Sequence, residues 1–332
     1  MNIVRRIRQI VVILLVSSVL LFARTGYILM RPGSVENLAG LVTVEGGAKE
    51  EEGRFYLVTV SQQNASPLLF LYALLSRNVD LAPSRQIIPP GMDEQRYTDL
   101  MRRWMDESQN LASVIAFRRK GLDVPIKSDG VEVVEVGEDS PAQGILAPGD
   151  IVLAVDGHFV SLADELVSMV QLRRIGDPVT LHLSRAGREM TVSISTASHP
   201  ERVEKAALRV LVQTLNWQPV LPLDVTIDAK EITGPSAGLM FVLEILDQLD
   251  PQKLTAGRLI AGTGTINLQE QIGPVGGVRQ KVAAAAAAGA EFFLVPQGNY
   301  EEAVTAGQRV KIIPVSTLAE ALDFLYSLNG GI

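Results

Sequence analysis

The sequence predicts an α+β chain of several domains, and three observations predict it. The 332 residues are enough for about two domains at the usual domain size. Residues 128–197 alternate short β patterns with turn signals, whereas residues 202–332 interleave strands with two strongly apolar helical stretches. Ahead of both lies a basic, apolar N-terminal segment.

The elements follow in order. Arg5, Arg6 and Arg8 precede an apolar run from Ile10 to Ala23, which Tyr27–Met30 extends. This is the layout of a membrane anchor over residues 10–30, with residues 1–9 as a cytoplasmic tip and the remainder outside. A cleaved signal peptide shares that layout, but Phe22, Ala23 and Arg24 make a poor cleavage site, which favours a retained transmembrane helix. Residues 31–127 read as an α/β linker region. It has strands near Leu41–Val44 and Arg54–Val60 around a Gly46–Gly53 turn, a short helix near Leu68–Leu75, and a stop at Pro89-Pro90-Gly91. Asp93 then caps a long amphipathic helix closed by Gly121. The Met101, Trp104 and Met105 stripe on that helix reads first as core and second as a binding face.

Composition narrows the chemistry. The chain has no cysteine, which excludes disulfides, thiolate metal sites and a cysteine nucleophile. Its three histidines, His158, His182 and His199, form no zinc-binding spacing, so no metal and no cofactor are expected. Residues 1–31 hold five arginines and no acid, so taking +5 from the net −7 leaves −12 on the other 301 residues. That acidic body argues against a nucleic-acid partner.

In residues 128–197, Val131–Val136 alternates, Ser140-Pro141-Ala142 starts a short helix, Pro148-Gly149-Asp150 turns into a strand, and Asp156-Gly157 closes a hairpin. The stretch Gly130–Val160 resembles a bacterial PDZ domain, a PDZ-like β-sandwich/barrel. The resemblance implies binding of peptides or C-terminal segments by strand addition. Gly121–Val124 and Gly130–Val133 are two candidate loops for a peptide carboxylate, and a purely structural spacer is the competing reading. Ser198–Glu201 is a polar linker.

The chemistry concentrates after residue 202. Gly234-Pro235-Ser236-Ala237-Gly238 runs into an apolar helix, so the Ser236 hydroxyl is exposed at a helix start beside outward-pointing backbone N–H groups. GxSxG is also the nucleophile elbow of α/β-hydrolases, but that reading needs a histidine after the serine, and none follows. A chymotrypsin-like order with His182 or His199 upstream stays open, although His182 falls in a strand of the preceding unit and His199 in the linker. If the base is not histidine, a lysine can serve, since burial would lower its pKa. Lys253 and Lys311 sit in polar surroundings, while Lys281 precedes an unbroken run Ala283–Ala288. On composition alone Lys281 is either an inward, desolvated base or an exposed first-turn lysine.

The spacing from GPSAG to the lysine of GGVRQKVAAAAAAGA, with Ala261–Leu268 and Phe292–Pro296, is similar to the Lon protease catalytic domain. The resemblance implies a Lon-type proteolytic α+β domain over residues 202–332, with Ser236 as nucleophile and Lys281 as general base. It makes Thr263 a residue that holds the lysine and Gly277 part of a close turn. Thr233 and Thr265 stand where such enzymes often carry acids. No GxxxxGK[ST] motif occurs, so ATP-independent cleavage of unfolded or flexible protein segments is expected, with a homo-oligomer implied by the resemblance. The competing reading is a catalytically inactive, membrane-tethered PDZ adaptor.

Overall fold

The computed structural model describes residues 2–49, 52–89, 91–307 and 309–330. Met1 of the expected tip, Glu50 and Glu51 of the Gly46–Gly53 turn, Pro90 of the proline stop, and Gln308 lie outside the described residues.

The main elements in chain order are as follows. Helix α1 (Asn2–Phe22), β1 (Tyr27–Asn37), β2 (Val42–Val44), β3 (Arg54–Asn64), α2 (Pro67–Leu75), β4 (Asp80–Pro83) and α3 (Glu94–Arg119) come first. Then follow β5 (Gly130–Val136), β6 (Ile151–Val155), α4 (Ala163–Gln171), β7 (Pro178–Arg185), β8 (Arg188–Ser195), β9 (Val210–Leu215) and β10 (Val225–Ile227). Last come α5 (Gly238–Leu249), β11 (Leu259–Gly262), α6 (Val278–Ala287), β12 (Phe292–Pro296), β13 (Lys311–Val315) and α7 (Leu318–Asn329). They form two units: residues 1–108, 225–266 and 270–332, and residues 109–224 with 267–269, a division that falls within α3.

The first unit is built on a six-stranded mixed sheet of order β13-β12-β11-β3-β1-β4. β11 pairs in parallel with both β3 and β12, while β1 runs antiparallel to β3 and β4. Strands β3 and β4, from the stretch read as a linker region, and β1, which begins within the expected anchor, therefore complete the sheet of the serine-bearing block. The alanine run of α6 explains how that helix sits close to the sheet. Ala284 and Ala285 pack with Val58, Ala261, Phe293 and Val295, and small side chains let backbones approach.

The expected span over residues 10–30 is corrected. α1 ends at Phe22, and Gly26, at φ +77°, turns the chain into β1. Ile28 and Leu29 are buried in the sheet with Ala65, Ala73 and Val79 around Leu29, so their apolar character serves a core strand. Among the described residues no helix is long and apolar enough to cross a membrane. The apolar part of α1, Ile10–Phe22, is interrupted by Ser17-Ser18, and its arginines occupy the preceding turns. A periodic or continuous apolar run does not by itself separate a buried strand from a span.

The second unit has a five-strand antiparallel path of order β8-β7-β6-β5-β9 with α4 packed on it. The Asp156-Gly157 hairpin forms, with φ of +49° and +81° at its two corner residues. Buried Asp150 accepts two hydrogen bonds from Arg185, at 2.6 and 2.7 Å, and one from the Ala147 N–H at 2.9 Å. The Arg185 guanidinium holds its carboxyl below the usual range. Residues 141–145 form turns, not the expected helix, and Gly144 at φ +73° ends them. β9 lies beyond the polar linker yet pairs with β5, so residues 202–224 group with this unit.

Candidate active site

Each of the three key side chains is delivered by a different local feature. Ser236 sits in the Gly234–Ala237 turn immediately before α5. Gly234 has φ +90°, a conformation costly for residues with a Cβ, and allows the chain to reverse there. Thr263 follows β11, where its N–H donates to Leu294 O of β12 at 3.0 Å. Lys281 lies in the first turn of α6, whose N-cap is Gly277 at φ +67°. A Cβ at Gly277 would meet Val60 Cγ2 at 2.7 Å, whereas one at Gly276 would meet nothing within 4 Å. Of the glycine pair, Gly277 is thus the one the geometry requires.

These features bring Lys281 Nζ to 2.8 Å from Ser236 Oγ and 2.9 Å from Thr263 Oγ1. The Thr263 hydroxyl donates to the Ser236 carbonyl at 3.0 Å. Thr263 therefore spends its proton on that carbonyl and accepts from the lysine. Lys281 is only 3 % exposed. Burial pulls its pKa down to about 8, and the nearby Glu302 carboxylate opposes this. The alternative of an exposed first-turn lysine is excluded. Glu302 also accepts from Val278 N–H at 3.1 Å, supplying from another helix the cap that glycine lacks.

The serine faces a cavity of about 850 Å³ that Lys281, Gly276, Gly277, Pro235 and Ala237 also line. The backbone N–H of Gly238 lies 3.5 Å from Pro235 O and that of Leu239 donates to Gly264 O at 3.1 Å, while among the described residues no backbone hydrogen bond engages the N–H of Ser236 or Ala237. His182 is in β7, 3.1 Å from Glu189, and His199 is at the linker, where its Nδ1 accepts from the backbone of Glu201 and Arg202. Neither lines the cavity. Lys253 is tied to the Asp247 carbonyl at 2.9 Å and exposed Lys311 lies over the Phe292 ring, so neither serves Ser236. Among the described residues no cluster of histidine and carboxylate side chains has metal-site geometry.

In the second unit, Gly130–Val133 is an interior strand paired on both sides, so it is not a carboxylate loop. Gly121 closes α3 at φ +80°, and Val124 is buried. A groove of about 270 Å³ instead runs between α4 (Leu166, Val167, Val170) and the edge-strand side of β9 (Val210, Val212). The sequence reading missed it, because its far wall comes from beyond the linker.

Comparison with known proteins divides the chain in a similar way. Residues 108–196 match the PDZ domain family, and residues 221–327 match the Lon protease (S16) C-terminal proteolytic domain. Lon protease 2 of Bacillus subtilis is 28% identical over 143 residues, covering 42% of this chain and 26% of that protein. The Lon protease of Trichlorobacter lovleyi is 34% identical over 93 residues, covering 27% of this chain and 11% of that protein. The chain thus spans about a quarter or less of the curated relatives it matches. Among solved structures, the PDZ domain of an SdrC-like protein from Listeria innocua is 27% identical. It covers 25% of this chain and 93% of that one, at a TM-score of 0.24, too low to bear on the fold. The domain match and the relatives' names support a serine peptidase.

Proposed function

We propose that the chain is a serine endopeptidase that hydrolyses peptide bonds with a Ser236–Lys281 dyad and without ATP. The observation that carries this is the 2.8 Å approach of a buried lysine amine to a serine hydroxyl at the edge of a cavity. Neutral Lys281 takes the Ser236 proton as Oγ attacks the peptide carbonyl carbon. The Ser236 and Ala237 N–H groups stabilise the oxyanion. The lysine ammonium then gives its proton to the departing amine, leaving an acyl-enzyme. Lys281 next deprotonates a water that attacks the ester, and Ser236 Oγ recovers the proton. With a pKa of about 8, about one lysine in ten is neutral at pH 7. Thr263, a positioning residue, keeps the amine directed at Ser236 by accepting its other N–H.

Substrates are unfolded or flexible protein segments. The PDZ unit binds extended peptides along β9, in the groove beside α4. α1 attaches the chain to a membrane surface. Its exposed Ile10, Ile13, Leu14 and Leu21 behind Arg5, Arg6 and Arg8 support this part.

The test is digestion of an unfolded protein without nucleotide by the chain and by Ser236→Ala and Lys281→Met. Cleavage by the unaltered chain alone is expected. Equal cleavage by all three would overturn the dyad, and cleavage by none while peptide binding at residues 109–224 persists would favour the adaptor reading.

A further inference from the structure

The cavity at Ser236 is not walled by the matched proteolytic residues alone. Met101 and Met105 of α3 line it, together with Leu57, Val58 and Val60 of β3, all outside residues 221–327. α3 also holds the nucleophile turn. The Gly234 N–H donates to the Met101 carbonyl at 2.9 Å, and the buried Ser108 hydroxyl donates to the Pro235 carbonyl at 3.3 Å. A Cβ at Gly234 would lie 3.7 Å from Met101 Sδ, so this thioether rests on the turn two residues before the nucleophile. Met105 is buried and Met101 half-buried; of the charged residues of the lining, Lys230 and Glu231 are exposed, Glu36 on β1 is half-buried, and buried Lys281 is the proposed base itself. Trp104, the third member of the stripe, does not line the cavity.

We propose that Met101 and Met105 form the subsite for a substrate side chain adjoining the scissile bond, and that this subsite selects an apolar residue. The inference rests on the peptidase reading and adds a specificity element supplied from outside the proteolytic domain. Thioether side chains are flexible and polarizable, so they fill around aliphatic and aromatic groups of different shape. A carboxylate or ammonium entering the same space would lose water and gain no partner from methionine.

The experiment reads binding separately from cleavage. Two blocked peptides that differ in one residue, leucine or aspartate, are titrated against the Ser236→Ala chain, with and without Met101→Lys. At least about tenfold tighter binding of the leucine peptide to the Ser236→Ala chain is expected. Met101→Lys should abolish or reverse that preference. Met101→Ala, which adds no charge, should raise binding of a phenylalanine peptide relative to leucine several-fold. It keeps the test open if the lysine variant does not fold. An unchanged preference in the variants, or no binding of either peptide by the Ser236→Ala chain, overturns the subsite. Hydrolysis of the leucine peptide by the unaltered chain, lost on Ser236→Ala, tests the peptidase reading independently.

Discussion

Two helices of the first unit each bury an ionisable side chain, and their environments differ. On α6, Lys281 is desolvated, its pKa falls to about 8, and it meets a hydroxyl at the edge of a cavity. On α5, Glu244 is desolvated and pushed up to about 7, but it meets the Gln248 amide at 2.7 Å and lines no part of that cavity. Gln248 in turn donates to Val42 O and accepts from Val44 N–H, both at 3.0 Å, so Glu244 belongs to a bracket that fixes β2. Burial is the largest cause of both shifts. Only the one with a nucleophile and open space beside it is placed for catalysis.

Four substitutions test this contrast, in decreasing order of expected effect. Lys281→Met should lower peptide hydrolysis by about 10³-fold or more, because among the described residues Lys281 is the basic side chain hydrogen-bonded to Ser236. Thr263→Val keeps shape but removes the hydroxyl that accepts from Lys281, and kcat should fall about 10–100-fold with KM little changed. Gly277→Ala should lose activity through stability as well as geometry. Its positive φ and the 2.7 Å approach to Val60 predict destabilisation of about 1–3 kcal/mol, read as a drop in Tm. Glu244→Gln should leave hydrolysis within about twofold and alter only the pH dependence of stability.

The signs of those pH effects are opposite. Glu244 has a higher pKa folded than unfolded, so the folded state holds the extra proton between about 4.5 and 7. Stability from this group therefore falls as pH rises across that window, and Glu244→Gln should remove that slope. Lys281 has a lower pKa folded, so the unfolded chain holds more protons between about 8 and 10.5, and stability rises there. Lys281→Met should flatten that slope while abolishing hydrolysis.

The dyad was legible because both partners sit in local patterns, GPSAG and a lysine ahead of an alanine run. Whether Lys281 faced inward was not legible from composition. That depends on β3, whose pairing with β11 of the serine block joins residues about 200 positions apart and leaves no periodic trace. The same distance hid the role of Met101 and Met105, since the stripe fits a core helix equally well. The apolar Tyr27–Met30 extended the N-terminal run in sequence, although Gly26 separates helix from strand in three dimensions. Gly130–Val133 carried a loop-like glycine but lies inside a sheet, where its small size accommodates the close approach of Val152 O at 2.9 Å from a built Cβ.

The proposed peptidase depends on Lys281 activating Ser236. The direct measurement is the rate at which a serine-reactive peptidyl fluorophosphonate labels Ser236 as a function of pH, read by mass spectrometry. The rate should rise with pH to a plateau above about 8, and Lys281→Met should abolish labelling across the range. Equal labelling of the Lys281→Met chain, or a rate independent of pH between 6 and 9, would contradict the assignment.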